Sequence, residues 1–88
     1  MRRAARRDTN EPAIVEAARA IGLKVFYTSE LGDLIVQFGN RTELWEVKTE
    51  TGKLTTTQLR MRQAGLKART VRTIEDVMQA KKEILQSL

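Results

Sequence analysis

Two runs that read as β-strands, Asp33–Phe38 (DLIVQF) and Arg41–Lys48 (RTELWEVK), are separated only by Gly39-Asn40. Strands that must reverse in two residues use the primed turns, and glycine and asparagine both tolerate the positive φ of a type I′ turn. A two-residue turn also dictates register. Phe38 then faces Arg41 and, counting back along both strands, Asp33 faces Glu46. Directly opposed residues share a face, with Cβ atoms about 4.5–5.5 Å apart. Lys48 lies two residues beyond Glu46 and shares that face, whereas Phe38, Trp45 and Val47 point into the other layer, where we expect core. Asp33–Phe38 is apolar on both faces, as a central strand is.

Opposed carboxylates repel. A chain of 88 residues buries only a little over roughly 60% of its unfolded surface, so it has little stability with which to retain such a pair for nothing. A divalent cation reverses the sign of that interaction, taking oxygen ligands at about 2.0–2.6 Å. A lysine alongside orients a water or stabilises charge on a phosphoryl group. The plainer reading is a solvated face on which Lys48 pairs with Glu46 and Asp33 caps the strand.

Composition narrows the chemistry. The chain has no histidine and no cysteine, which excludes a Ser-His-Asp relay, a thiolate nucleophile, a disulfide framework and any zinc site built on His or Cys. Carboxylates, lysine and hydroxyls remain, and carboxylates suit magnesium or manganese. Lys and Arg number 16 against 11 Asp and Glu, a net +5, the footprint of a protein with a polyanionic partner, most often nucleic acid. No apolar run approaches the ~18 residues of a membrane span and no signal peptide is visible, so a cytoplasmic protein without membrane contact is expected.

One domain is expected over residues 9–88, preceded by a basic flexible arm, residues 1–8, with Arg2, Arg3, Arg6 and Arg7. Asn10-Glu11-Pro12 opens a helix with Asn10 as N-cap. Ile14, Ala17, Ala18 and Ile21 continue it and Gly22 stops it. A strand spans Leu23–Thr28, and Ser29–Gly32 turns into the hairpin. After the loop Thr49–Lys53, Thr55 and Gln58 form the capping box of a second helix running to about Lys67. Ala68–Arg72 is a short strand, and Thr73 to Asp76 opens a third helix with the stripe Ile74, Val77, Met78, Lys81, Ile84, Leu85 and Leu88. The fold class is α/β, ordered α-β-β-β-α-β with a C-terminal helix, a mixed four-stranded sheet flanked by helices.

Asp33 followed by Glu46-Val47-Lys48 resembles the Asp…Glu-x-Lys signature of the PD-(D/E)XK nuclease superfamily. The segments Arg7–Pro12, Gly32–Val36, Leu44–Lys48, Leu54-Thr55-x-x-Gln58 and Val71-Arg72-Thr73 resemble the small stand-alone VRR-type nucleases of phages and bacteria, over about residues 6 to 77. Two departures stand out: Gly32 replaces the proline expected before the aspartate, and Thr73 leaves the closing Val-Arg-Arg incomplete. The resemblance implies a restriction-endonuclease-like core and Mg2+ or Mn2+ held by Asp33, Glu46 and the backbone carbonyl of Val47. It implies that Lys48 positions the attacking water or stabilises the transition state, that Glu11 is an outer acidic residue, and that Gln58 is the family's helix glutamine. Glu11 is equally a carboxylate favouring a helix N-terminus, and Gln58 equally a capping residue.

The implied activity is a metal-dependent endodeoxyribonuclease acting on branched DNA, in particular four-way junctions, as a homodimer. The alternatives are a flap or end nuclease, a non-catalytic DNA-binding phage regulator, and a subunit that docks a larger protein. Lys53, Arg60, Arg62, Lys67 and Arg69, with Arg72, form the candidate phosphate-facing surface; its other reading is an ordinary solvated face. The C-terminal stripe carries more apolar surface than so small a sheet needs, which favours a dimer.

Overall fold

The computed structural model describes residues 9–28 and 34–88. The basic arm, the turn Ser29–Gly32 and Asp33 lie outside the described residues. In chain order the elements are α1 (Glu11–Ala20), β1 (Lys24–Tyr27), β2 (Leu34–Phe38), β3 (Arg41–Val47), α2 (Thr56–Gln63), β4 (Arg69–Val71) and α3 (Ile74–Gln86). The sheet is ordered β1-β2-β3-β4. Its first three strands form an antiparallel meander, and β4 runs parallel to β3 after the crossover through α2.

The hairpin has the register a two-residue turn requires, from Phe38 opposite Arg41 to Leu34 opposite Trp45. The turn itself differs from the type I′ expectation. Gly39 has φ +60°, while no non-glycine residue has positive φ among the described residues. Positive φ at the first central position alone is the type II′ pattern. Both types are two residues long, so the register is unaffected.

Leu34, Val36, Trp45 and Val47 share one face of β2 and β3 with Val25 and Val71 from the outer strands, and all are buried. The helices α1 and α3 cover this face with Ile14, Val15, Ala18, Val77 and Ala80, and Phe38 packs at the edge of the same cluster. The opposite face is only partly covered, by α2. Phe26 and Ile35, cross-strand neighbours there, are 53% and 38% exposed. β2 is central in the sheet, yet it is buried on one face and not on both. The free edge of β1 is blunted by Arg19 of α1, whose Nη2 donates to the Val25 carbonyl at 2.8 Å.

Three helix ends follow from local chemistry and two expectations are corrected. Gly22, at φ +95°, closes α1. The boxes of Thr55 with Gln58 and of Thr73 with Asp76 are both complete. α2, however, stops at Gln63, four residues before Lys67. Gly65, at φ +106°, donates to Arg62 O at 3.0 Å while Leu66 donates to Met61 O at 2.9 Å, a Schellman end. Asn10 precedes α1 but makes no side-chain cap. A capping side chain needs an extended backbone beneath it, and Asn10 has helical φ −86° and ψ −4°.

Candidate active site

Among the described residues, three polar side chains are buried: Glu11 at 2%, Glu46 at 1% and Gln58 at 4% exposure. They come from the first turn of α1, the end of β3 and the first turn of α2, and all three are residues the sequence singles out. Buried carboxylates are costly without a partner, so two in so small a chain demand an explanation. Lys48, one residue past β3, is half-buried.

The end of β3 is tied down on every side. The Lys48 N–H donates to Val71 O at 3.0 Å, extending the β3–β4 ladder. Its carbonyl accepts from Asn10 Nδ2 at 2.9 Å, and the same amide donates to Arg72 O at 2.9 Å. The side chain expected to cap α1 thus joins α1 to β3 and β4, holding the turn that carries Glu11 against the residue after the Glu-Val pair. Arg72 secures the segment beyond. Its Nη1 donates to Thr49 O and Gly52 O at 2.6 Å each, and to Glu50 O at 3.3 Å. Arg72, the arginine of the incomplete Val-Arg-Arg motif, is therefore committed to the loop between β3 and α2.

Glu46 faces α2. Its parallel neighbour is Thr70, and Arg62 bridges the two: Nη2 donates to Glu46 Oε1 and, at 2.9 Å, to Thr70 Oγ1. Arg62 Nε is buried without a hydrogen-bond partner. Arg62 follows Gln58 by one helical turn and so shares its inward face; that spacing is the signal by which the sequence could have shown its direction. Gln58 has its side-chain oxygen on the Thr55 N–H at 2.9 Å, completing the box.

The candidate phosphate-facing residues divide. Lys53, Arg60 and Lys67 are exposed. Arg62 turns inward. Arg69 is engaged by two carboxylates: Nε and Nη2 meet Glu43 at 2.9 and 3.1 Å, and Nη1 meets Glu83 at 2.7 Å. The Arg69 hydrogen bond holds the Glu43 carboxyl below its usual range against the opposing effect of burial, assisted by Trp45 Nε1, which donates to the same oxygen at 2.9 Å. A cleft of about 450 Å³ lined by Arg41, Glu43, Lys67 and Arg69 lies at the other end of β3 and includes none of Glu11, Glu46, Lys48 or Gln58.

The donor chemistry fits a hard divalent cation in kind. Glu46 offers carboxylate oxygens, and Val47, whose side chain is 5% exposed in the core, offers its backbone carbonyl. Glu46 already draws a cation, since Arg62 supplies one. No group of three or more acidic, His or Cys ligands is assembled among the described residues, and Asp33 lies outside them. No family model, curated protein or solved structure matches this chain, so the reading of the site rests on its own residues.

Proposed function

We propose that the chain is a metal-dependent endodeoxyribonuclease of the PD-(D/E)XK type, hydrolysing phosphodiesters without a covalent intermediate. The observation that carries this reading is a Glu-x-Lys pair at the end of a central strand, with the glutamate 1% exposed and the lysine held through both backbone groups. Asp33, Glu46 and the Val47 carbonyl would hold Mg2+ or Mn2+. Such an ion lowers the pKa of a bound water and offsets charge on the phosphoryl oxygens. Lys48 would orient that water or donate to the phosphoryl group, Glu11 would be an outer acidic residue of the site, and Gln58 anchors the helix that faces Glu46.

Of the candidate phosphate-facing residues, Lys53, Arg60 and Lys67 face solvent. Contacts of this kind read backbone and shape, which suits a branched substrate such as a four-way junction. The partner we propose for the protein itself is a second copy. Ile74, Met78 and Leu85 of α3, with Leu88 just past its end, are 47–60% exposed and follow the four- and three-residue spacing of a coiled-coil seam, while Lys81 between them donates to Ile21 O. Glu75 and Lys82 flank that seam, so two antiparallel α3 helices bring opposite charges together. Among the described residues no helix is long and apolar enough to cross a membrane, and a cytoplasmic enzyme is part of the same proposal.

A catalytically silent DNA-binding module is the second reading, favoured by the arginine seated on Glu46. A panel of flap, splayed and four-way DNA substrates with Mg2+, Mn2+, Ca2+ or EDTA separates them. Cleavage of a branched substrate in Mg2+ or Mn2+, weak with Ca2+ and absent in EDTA, is expected. Binding without cleavage under every condition would establish the silent module.

A further inference from the structure

We propose that Arg62 is a built-in counter-cation of Glu46, and that guanidinium and divalent metal compete for one carboxylate. The inference rests on the metal-site reading above and adds a step to it: loading the site requires Arg62 to leave.

Glu46 is 1% exposed, and a carboxylate so far from water is expensive unless a positive charge meets it. Without metal, Arg62 provides that charge through Nη2 on Oε1. The arginine is positioned for this and little else. It projects from the last turn of α2, its second anchor is Thr70 Oγ1 at 2.9 Å, and Thr70 is the strand neighbour of Glu46. It is also incompletely satisfied, because Nε is buried with no hydrogen-bond partner, and such a donor adds a penalty to the seated state. A divalent cation bound at the Glu46 carboxylate would repel the guanidinium seated on the same group. Two cations on one buried carboxylate oppose each other, so the two occupancies compete. Arg62 thereby lowers metal affinity while supporting the metal-free fold.

The test is Mn2+ binding to the full chain, measured by EPR of the free ion without DNA. Arg62→Met is expected to bind Mn2+ about tenfold tighter or more, the scale of one charged hydrogen bond. Thr70→Val leaves the arginine's charge in place and removes its anchor, and is expected to tighten binding by about two- to fivefold. Glu46→Gln is expected to abolish binding. In the wild-type protein, the Arg62 side-chain N–H resonances are expected to shift as Mg2+ is added and to lie at that shifted position in Glu46→Gln; if Arg62→Met does not fold, this and Thr70→Val decide. Unchanged Mn2+ affinity in both Arg62→Met and Thr70→Val, with binding still lost in Glu46→Gln, would overturn the competition and leave the metal site standing. Tightening in Arg62→Met with none in Thr70→Val would assign the effect to charge at a distance and overturn direct competition at the carboxylate. Absence of binding in both wild type and Arg62→Met, or full binding in Glu46→Gln, would overturn the metal-site reading itself.

Discussion

Replacing Arg72 by methionine keeps most of the side-chain stem and removes the three hydrogen bonds that hold the loop after Lys48. Two of these are short, at 2.6 Å, and bond a charged donor to part-buried carbonyls. The third, at 3.3 Å and exposed, contributes little. Charged hydrogen bonds are worth about 1.5–3 kcal/mol each when buried. Partial solvent access lowers that, so the expected loss for the pair is about 2–3 kcal/mol. A domain of this size has about 4–13 kcal/mol in total, and each kcal/mol moves the melting temperature by about 4–8 °C. Arg72→Met is therefore expected to melt about 8–24 °C lower. The single tryptophan, Trp45, is 0% exposed in the core, so urea unfolding followed by its fluorescence reads the change directly. Arg72→Lys, whose ammonium ends one atom short of the Nη1 that makes all three contacts, is expected to recover less than half of it. A loss below about 0.5 kcal/mol, the scale of a neutral surface substitution, would refute the clamp.

Glu43 titrates below its ordinary value near 4.5 because Arg69 hydrogen-bonds its charged form. Its contribution to stability is complete above the unfolded-state pKa and is lost as pH falls through the lower folded value; Glu43→Gln is expected to flatten the acid limb of an unfolding-versus-pH curve, and an unaltered limb would contradict the pairing. Gly65 has φ +106° with nothing within 4 Å of an added Cβ, so Gly65→Ala is expected to cost about 1 kcal/mol or more through backbone strain alone, measured by urea unfolding; no loss would mean that the end of α2 does not need the positive φ. Leu85 is 48% exposed, and Leu85→Glu is expected to leave monomer stability within about 0.5 kcal/mol while abolishing a dimer seen by light scattering at micromolar concentration; a wild-type mass of one chain would overturn the seam.

The parts of this fold legible in the sequence are those decided within a few residues. Gly39-Asn40 dictates the hairpin register whichever primed turn it adopts. Thr55 with Gln58 and Thr73 with Asp76 carry both helix starts, because a capping box closes on itself. What was illegible depends on tertiary partners. Asn10 has the identity of a cap and serves as a tie between strands, since its backbone is helical and its amide is nearer to Lys48 O and Arg72 O. The direction of an arginine is not encoded in its charge: Arg60 faces solvent and Arg62 faces Glu46. The α3 stripe is broader than one helix face needs: Val77 and Ile84 are buried, joined by Ala80, while Ile74, Met78, Leu85 and Leu88 are exposed. Of the candidate site, Glu11, Glu46 and Gln58 stand out twice, by motif and by burial, while Asp33 lies outside the described residues.

The central claim is that Glu46 and Lys48 perform hydrolysis while other residues supply affinity for DNA. Single-turnover cleavage of a four-way junction in Mn2+ by the wild-type chain, Lys48→Ala and Glu46→Gln, with binding measured on the same preparations, tests it most directly. We expect cleavage by the wild type, none by either variant, and junction affinities within a few-fold of one another, because phosphate contacts dominate binding. Turnover retained in either variant, or a wild-type chain that binds the junction and leaves it intact, would contradict the account.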